Sequence, residues 1–212
     1  MTPKKQAYAA LAKTMIQNFK RNNIEAFYCN TKEEAVTLAM DLMKDAKTVG
    51  MGGAETIREC GLLDAIKQSE TLRFIDRDLA KTPEEKKACF IDTICADYFL
   101  MSSNAITVEG DLVNIDGNGN RLACLMQGPD HVLVVAGMNK VVEDVESGIQ
   151  RVGLVAAPAN AARLGTRTPC AKTGHCGDCH SEDCMCAHIV VTRHSRHQGR
   201  IQVILVGEEL GF

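Results

Sequence analysis

The chain has no tryptophan and only three tyrosines, and aromatic residues make up 4% of its 212 positions. A protein that holds single-stranded nucleic acid by stacking bases on aromatic rings needs more of them. Charge of one sign is also missing. The 24 lysines and arginines against 27 aspartates and glutamates leave a net charge of −3, without the positive excess that phosphate neutralisation requires. No apolar run approaches the roughly 20 residues that cross a bilayer, and the first twenty residues lack the apolar core of a secretory signal. The expectation is a cytoplasmic protein that binds neither nucleic acid nor membrane. With 45% hydrophobic and 24% charged residues, the composition is that of a folded chain. The length suits one domain spanning 1–212.

What is present in excess is cysteine, ten residues in all. Cys29, Cys60, Cys89, Cys95 and Cys124 are scattered singly through helix-like and strand-like segments and read as packed thiols. Cys170, Cys176, Cys179, Cys184 and Cys186 fall within seventeen residues. In a chain without a secretory signal such a cluster reads as metal-binding or redox-active before it reads as a disulfide framework.

Along the chain, short apolar runs alternate with amphipathic stretches. Tyr8, Leu11, Ala12, Met15 and Phe19 share one face of a helix over 4–20. A strand over 26–29 leads into a helix over 32–44, opened by the capping pair Thr31 and Glu34. A strand over 48–51 runs into Gly52-Gly53 and a helix over 55–67. A strand over 72–75 precedes a helix that Thr82-Pro83-Glu84-Glu85 opens and that ends near Ile94. Residues 98–101, 105–107 and 112–115 read as strands, and 121–127 as a short helix. The nearly all-apolar 131–136 reads as a strand buried on both faces. Val142, Val145, Ile149 and Val152 form the stripe of the next helix, which continues over 156–165. Two strands, 189–192 and 201–206, close the chain. This order predicts an α/β fold with a largely parallel sheet covered by helices on both faces. Residues 166–187 carry too few large apolar side chains to build a core, and form a Cys-rich insertion whose order a bound metal would supply.

Three segments carry chemistry. Val49 to Thr56 runs from strand through glycines into a helix, an arrangement that suits a phosphate or carboxylate and that equally makes an unliganded tight turn. It has neither the dinucleotide fingerprint nor the P-loop lysine. Residues 102–120 concentrate polar side chains, with Glu109, Asn114 and Asp116 as candidate acid–base or nucleophilic groups; two ordinary turns would use the same residue types. The third segment is the spacing C-x5-C-x2-C-x4-C-x-C, which can close a tetrahedral thiolate site. Four ligands suffice. Cys184 is the expected spare, because it would be crowded beside Cys186. The spacing leaves the metal open, matching neither paired zinc C-x2-C motifs nor the ferredoxin run. A redox pair at Cys176 and Cys179 is the non-metal alternative, and His175, His180 and His188 lie within reach as substitute ligands. Arg193, His194, Arg196, His197 and Arg200 form a small basic patch, read as a solvated turn.

Together, Gly50-Met51-Gly52-Gly53-Ala54-Glu55-Thr56 with Glu59-Cys60-Gly61-Leu62, the segment Ser103-Asn104-Ala105-Ile106-Thr107 through Asn114-Ile115-Asp116-Gly117, and Val132 to Val142 resemble the LUD (lactate utilisation) domain family. The tail with Cys170, Cys176, Cys179 and Cys186 resembles its stand-alone cysteine-bearing branch. The resemblance implies the Rossmann-like fold of the sugar-phosphate isomerase and CoA-transferase superfamily. It implies a ligand site formed by Gly52, Gly53, Thr56, Asn104 and Asn114, with Glu109 and Asp116 as candidate catalytic groups. It further implies a role in lactate-type organic-acid metabolism beside iron–sulfur subunits. The cofactor expected at Cys170, Cys176, Cys179 and Cys186 is an iron–sulfur cluster, for instance 4Fe–4S, with zinc as the alternative. The expected ligand is a small anionic metabolite, the expected partners a redox protein and a second copy of the chain. The alternative reading is an isomerase- or transferase-like enzyme with a structural zinc site. A non-catalytic ligand-binding regulator is a third.

Overall fold

A computed structural model describes residues 2–212. Helix α1, Pro3–Arg21, starts where the Thr2 hydroxyl accepts from the Lys5 amide, and buries Ala12, Met15 and Phe19. Strand β1 is Glu25–Cys29 and helix α2 is Lys32–Leu42, capped by Thr31. Strand β2, Thr48–Met51, is followed by two short helices, α3 (Glu55–Glu59) and α4 (Leu62–Lys67). The sequence predicts a single helix there; Gly61 at φ 85° divides it. Strand β3 is Arg73–Ile75, and α5, Pro83–Ile94, begins with both halves of the Thr82–Glu85 capping box formed. Next come β4 (Tyr98–Met101), β5 (Ala105–Thr107), β6 (Leu112–Asp116), α6 (Asn120–Met126) and β7 (His131–Gly137). The chain finishes through β8 (Val141–Val142), α7 (Val145–Arg151), one π-helical turn at Val152–Ala156, α8 (Ala157–Leu164), α9 (Pro169–Thr173), β9 (His188–Thr192) and β10 (Ile201–Val206).

The main sheet is six-stranded and wholly parallel, in the order β1-β10-β7-β4-β2-β3. Side chains alternate between its faces. Val49, Leu100, Leu133 and Ile204 meet α2, α3 and α4 on one side, while Phe99, Met101, Val132, Val134 and Val203 meet α1 and α6 on the other. Both faces are apolar because both are covered, which explains the hydrophobic runs Val132–Ala136 in β7 and Val203–Val206 in β10. The expected α/β fold with a Rossmann-like parallel sheet between helical layers is therefore the observed one.

The two strands expected to close the chain are present and lie in different sheets: β10 sits deep in the parallel sheet, whereas β9 belongs to a second sheet of order β8-β5-β6-β9. In that sheet β6 runs antiparallel to β5 and β9, and β5 runs parallel to β8. Val142 is not in a helical stripe but in β8, beside Thr107, and α7 starts three residues later where Asp144 accepts from the Ser147 amide. The cysteine-bearing stretch lies between α8 and β9. It is tied down by the Cys176 amide donating to the Gly153 carbonyl (2.8 Å), and by Arg167 pairing with Asp183 (3.0 Å).

Candidate functional site

Beyond the carboxyl ends of β2, β4 and β7 lies a cavity of about 240 Å3. This is where parallel α/β sheets place their ligands. Gly53 to Glu55 follow β2, Ser102 to Asn104 follow β4, and Lys140 follows β7. Arg121 enters from α6, Asn160 and Arg163 from α8, and Met185 from the cysteine-bearing stretch.

Lys140 is strongly perturbed. It is 3% exposed, and its ammonium donates to Thr56 Oγ1 (2.9 Å) and Ser102 Oγ (3.1 Å). Burial first, then the nearby Arg151 and Arg121 guanidinium groups, push its pKa down to about 7. Among the described residues it forms no ion pair. The two carboxylates that border the cavity are already engaged. Glu55 pairs with Arg163 at 3.3 Å, and Asp116 faces Arg121 at 3.9 Å.

Arg121 organises the polar floor. Its guanidinium donates to the Ser102 carbonyl (3.0 Å), Asn114 Oδ1 (2.7 Å), Asn104 Oδ1 (2.9 Å) and the Ile115 carbonyl. Burial lowers its pKa, opposed by Asp116, yet a guanidinium keeps its charge under such conditions. Arg151 adds a second clamp by donating to the Asn104 carbonyl (2.6 Å) and the Asn139 carbonyl (3.2 Å). Two guanidinium groups therefore fix the loop after β4. The buried Asn114 Nδ2 has no hydrogen-bond partner among the described residues.

Of the residues singled out from sequence, several come together. Gly53, Asn104 and Asp116 line the cavity, and Thr56 and Asn114 lie just behind, holding Lys140 and Arg121. Gly52 matters through close approach: a Cβ there would stand 3.0 Å from the Arg121 side chain and 3.2 Å from Phe99. Asp116 also serves its own loop. It accepts from the Asn118, Gly119 and Arg121 amides, so its oxygens are committed to starting α6. Glu109 is elsewhere. It sits on the exposed β5–β6 turn, ion-paired with Arg21 of α1 at 3.3 Å, and does not line the cavity.

The cysteines lie beside the cavity rather than in it. Burial, then the charges of Cys184, Cys176 and Cys170, raise the Cys186 thiol to about 12. Cys179, whose thiol hydrogen-bonds to Ser181 (3.2 Å), has a lowered pKa, with Cys184 contributing. Cys184, which spacing sets aside, is thus a neighbour of both Cys179 and Cys186. The donor chemistry, soft thiols on short loops, fits a thiolate-held ion or cluster. Among the described residues, however, no three His, Cys, Asp or Glu side chains are gathered into a ligand set. The backbone of this stretch packs on the cavity rim: a Cβ on Gly117 would lie 3.2 Å from Met185 Cα and 3.4 Å from the Cys184 carbonyl.

Sequence reasoning missed Lys140, Arg121, Arg151 and Arg163. Each is a single cation in an otherwise ordinary segment. The one local signal is Lys140, a charge three residues beyond a buried strand and 3% exposed in the folded chain. No helix among the described residues is long and apolar enough to cross a membrane.

Comparison with curated proteins finds no match. Among solved structures, the chain is similar to the crystal structure of a DUF162 family protein from Deinococcus radiodurans, with a TM-score of 0.52 at 14% identity. The match covers 94% of this chain and 98% of that one, and at this identity it speaks for the fold. The family model described as LUD domain matches residues 12–206. The chain belongs to the LUD domain family, which is associated with lactate utilisation.

Proposed function

We propose that the protein is a redox accessory protein of organic-acid metabolism that binds a small organic anion in the cavity, next to a metal or iron–sulfur group held by the cysteine-bearing stretch. The observation that carries this reading is a juxtaposition. Lys140, a buried amine that forms no ion pair among the described residues, faces a cavity whose rim includes Met185, the residue between Cys184 and Cys186. A buried charge without a partner is costly, and an anionic ligand would supply the partner. Arg121, Arg151 and Arg163 add positive potential around the same space, focused by low-dielectric walls.

Cys170, Cys176, Cys179 and Cys186 would hold the group, with Cys184 adjoining. When bound, an iron–sulfur cluster supplies one-electron transfer, and a redox protein would be the partner that receives or delivers the electron. The chain's own contribution is to hold the anion on Lys140 and Ser102, to orient the Lys140 amine through Thr56, and to keep the loop after β4 fixed through Arg121 and Arg151.

Metal and acid-labile sulfide analysis of protein purified without oxygen tests the first half. Iron with sulfide, lost in Cys176→Ser, supports it; an absence of both, with zinc present, refutes the cluster. Calorimetry with lactate and pyruvate near pH 7.5 tests the second half. A carboxylate beside Lys140 draws a proton onto the amine, so binding heats should differ between buffers of different ionisation enthalpy. Binding without proton uptake would place the anion elsewhere.

The alternative, an isomerase- or transferase-like enzyme with a structural zinc, is favoured by one observation: two hydroxyls lie within hydrogen-bond reach of the Lys140 amine, which is equipment for moving a proton. Stoichiometric zinc without sulfide, together with turnover, would select it.

A further inference from the structure

The anion reading uses Ser102 and Lys140 only as hydrogen-bonding groups, and the pair they form can do more. Ser102 is 7% exposed, directly after β4, and its hydroxyl lies 3.1 Å from Lys140 Nζ on the cavity wall. Lys140 Nζ is held on its other side by Thr56 Oγ1 at 2.9 Å, and Thr56 is completely buried and turned by its own bond to the Leu210 carbonyl (3.3 Å). The Ser102 main chain is pinned by Arg121, which donates to its carbonyl at 3.0 Å. A nucleophile within reach of a base that a third group orients is the arrangement that activates a hydroxyl, and serine–lysine pairs are one of its forms.

We propose that Ser102 is a nucleophile, with Lys140 as its general base and Thr56 as a positioning residue, and that it accepts the acyl group of a small ester or thioester. The Ser102 oxygen bonds to the acyl carbon while its proton passes to Lys140 Nζ. The bond from the acyl carbon to the leaving oxygen or sulfur breaks, and Lys140 returns the proton to that atom. Water then attacks the acyl-serine with Lys140 again taking a proton, and this proton returns to the Ser102 oxygen as the acid departs. Every atom is supplied by ester and water, with no oxidant or reductant.

Three further features agree. A lysine is a base only when neutral, and the pKa of about 7 leaves much of Lys140 neutral at pH 7–8. Asn104 borders the cavity with its Oδ1 taken up by Arg121 and the Ile115 amide, which leaves its amide nitrogen to donate to the developing oxyanion. The cavity of about 240 Å3 limits the acyl part to a short, polar one. The acyl reading shares Lys140 and Ser102 with the anion reading and is tested apart from it, because the probe below carries no charge.

The test is acetylation of the full chain by p-nitrophenyl acetate, followed by acid quench and peptide mass mapping. Acetyl-Ser102 is expected, with a formation rate that rises through pH 7, absent in Ser102→Ala and slowed about 100-fold in Lys140→Met. Thr56→Val should shift the pH midpoint, and Thr56→Ser should restore it. Acetyl groups confined to surface lysines overturn the proposal. So does a Ser102 rate in the unaltered protein that is flat from pH 6 to 8, a result that holds even if Lys140→Met fails to fold.

Discussion

Gly137 ends β7 at the point where the chain's last residues fold back over the site, and replacing it with alanine should destabilise the whole arrangement. Its φ of −69° suits any residue, so the effect is one of space rather than backbone strain. An added Cβ would meet the Glu208 carbonyl and the Leu210 nitrogen at 2.6 Å each, and would press still closer on Asn139 Oδ1. Two of these three are backbone atoms that cannot swing aside. If Asn139 rotates away, it forfeits the bond from the Leu210 amide (3.1 Å) and the one to the Gly211 carbonyl (3.2 Å). Two such bonds are worth about 1 kcal/mol each, and forced overpacking adds about 1–3 kcal/mol. Restricting the unfolded chain returns about 0.4–1 kcal/mol. The net expectation is a loss of about 2–4 kcal/mol, read by urea unfolding followed by circular dichroism. The damage should reach the site, because Gly211 stands against Thr56 Oγ1, the group that holds Lys140. A Gly137→Ala protein within about 0.5 kcal/mol of the parent would refute the reasoning.

The Lys140 amine should leave its mark on stability against pH. Its folded pKa lies near 7 and its ordinary value is 10.5, so between these the unfolded chain binds a proton that the folded one does not. Stability from this group therefore rises from pH 7 towards 10.5 and is least below 7, and Lys140→Met should flatten that rise. The two candidate carboxylates should behave oppositely. Asp116→Ala strips acceptors from three amides and a facing charge from Arg121, and should cost about 1–3 kcal/mol in thermal or chemical unfolding. Glu109→Gln removes an exposed ion pair and should move stability by less than about 1 kcal/mol while anion binding measured by calorimetry stays unchanged. Weakened binding in Glu109→Gln would bring that residue back to the site.

The parallel α/β layout was legible because burial on both faces writes itself into each strand separately. The runs at β2, β4 and β7 are apolar along their length, and the caps at Thr31 and Thr82 mark helix starts within four residues. The second sheet was not legible. Strand β8 is two residues long, too short to show a period, and the apolar run of β9 looks like that of β10 although β9 is half-exposed and pairs with β6. The site divides in the same way. Gly52, Thr56, Asn104 and Asn114 lie in segments whose turns and glycines attract attention. Lys140 and Arg121 are nineteen positions apart, and only the sheet brings their side chains to a shared loop at Ser102.

The position of β10 between β1 and β7 has a consequence for how the chain reaches this structure. Among the described residues, 25–29 pair only with residues 202–206, so the first strand made waits for the last one before it gains a neighbour. Strands β7, β4, β2 and β3 can assemble earlier as a four-stranded core, leaving two unsatisfied edges. Closing the sheet comes last and spans nearly the whole chain, the kind of long-range pairing that slows folding and exposes strand edges to other molecules. Since the cysteine-bearing stretch immediately precedes β9 and β10, it is made before the first strand can gain its neighbour.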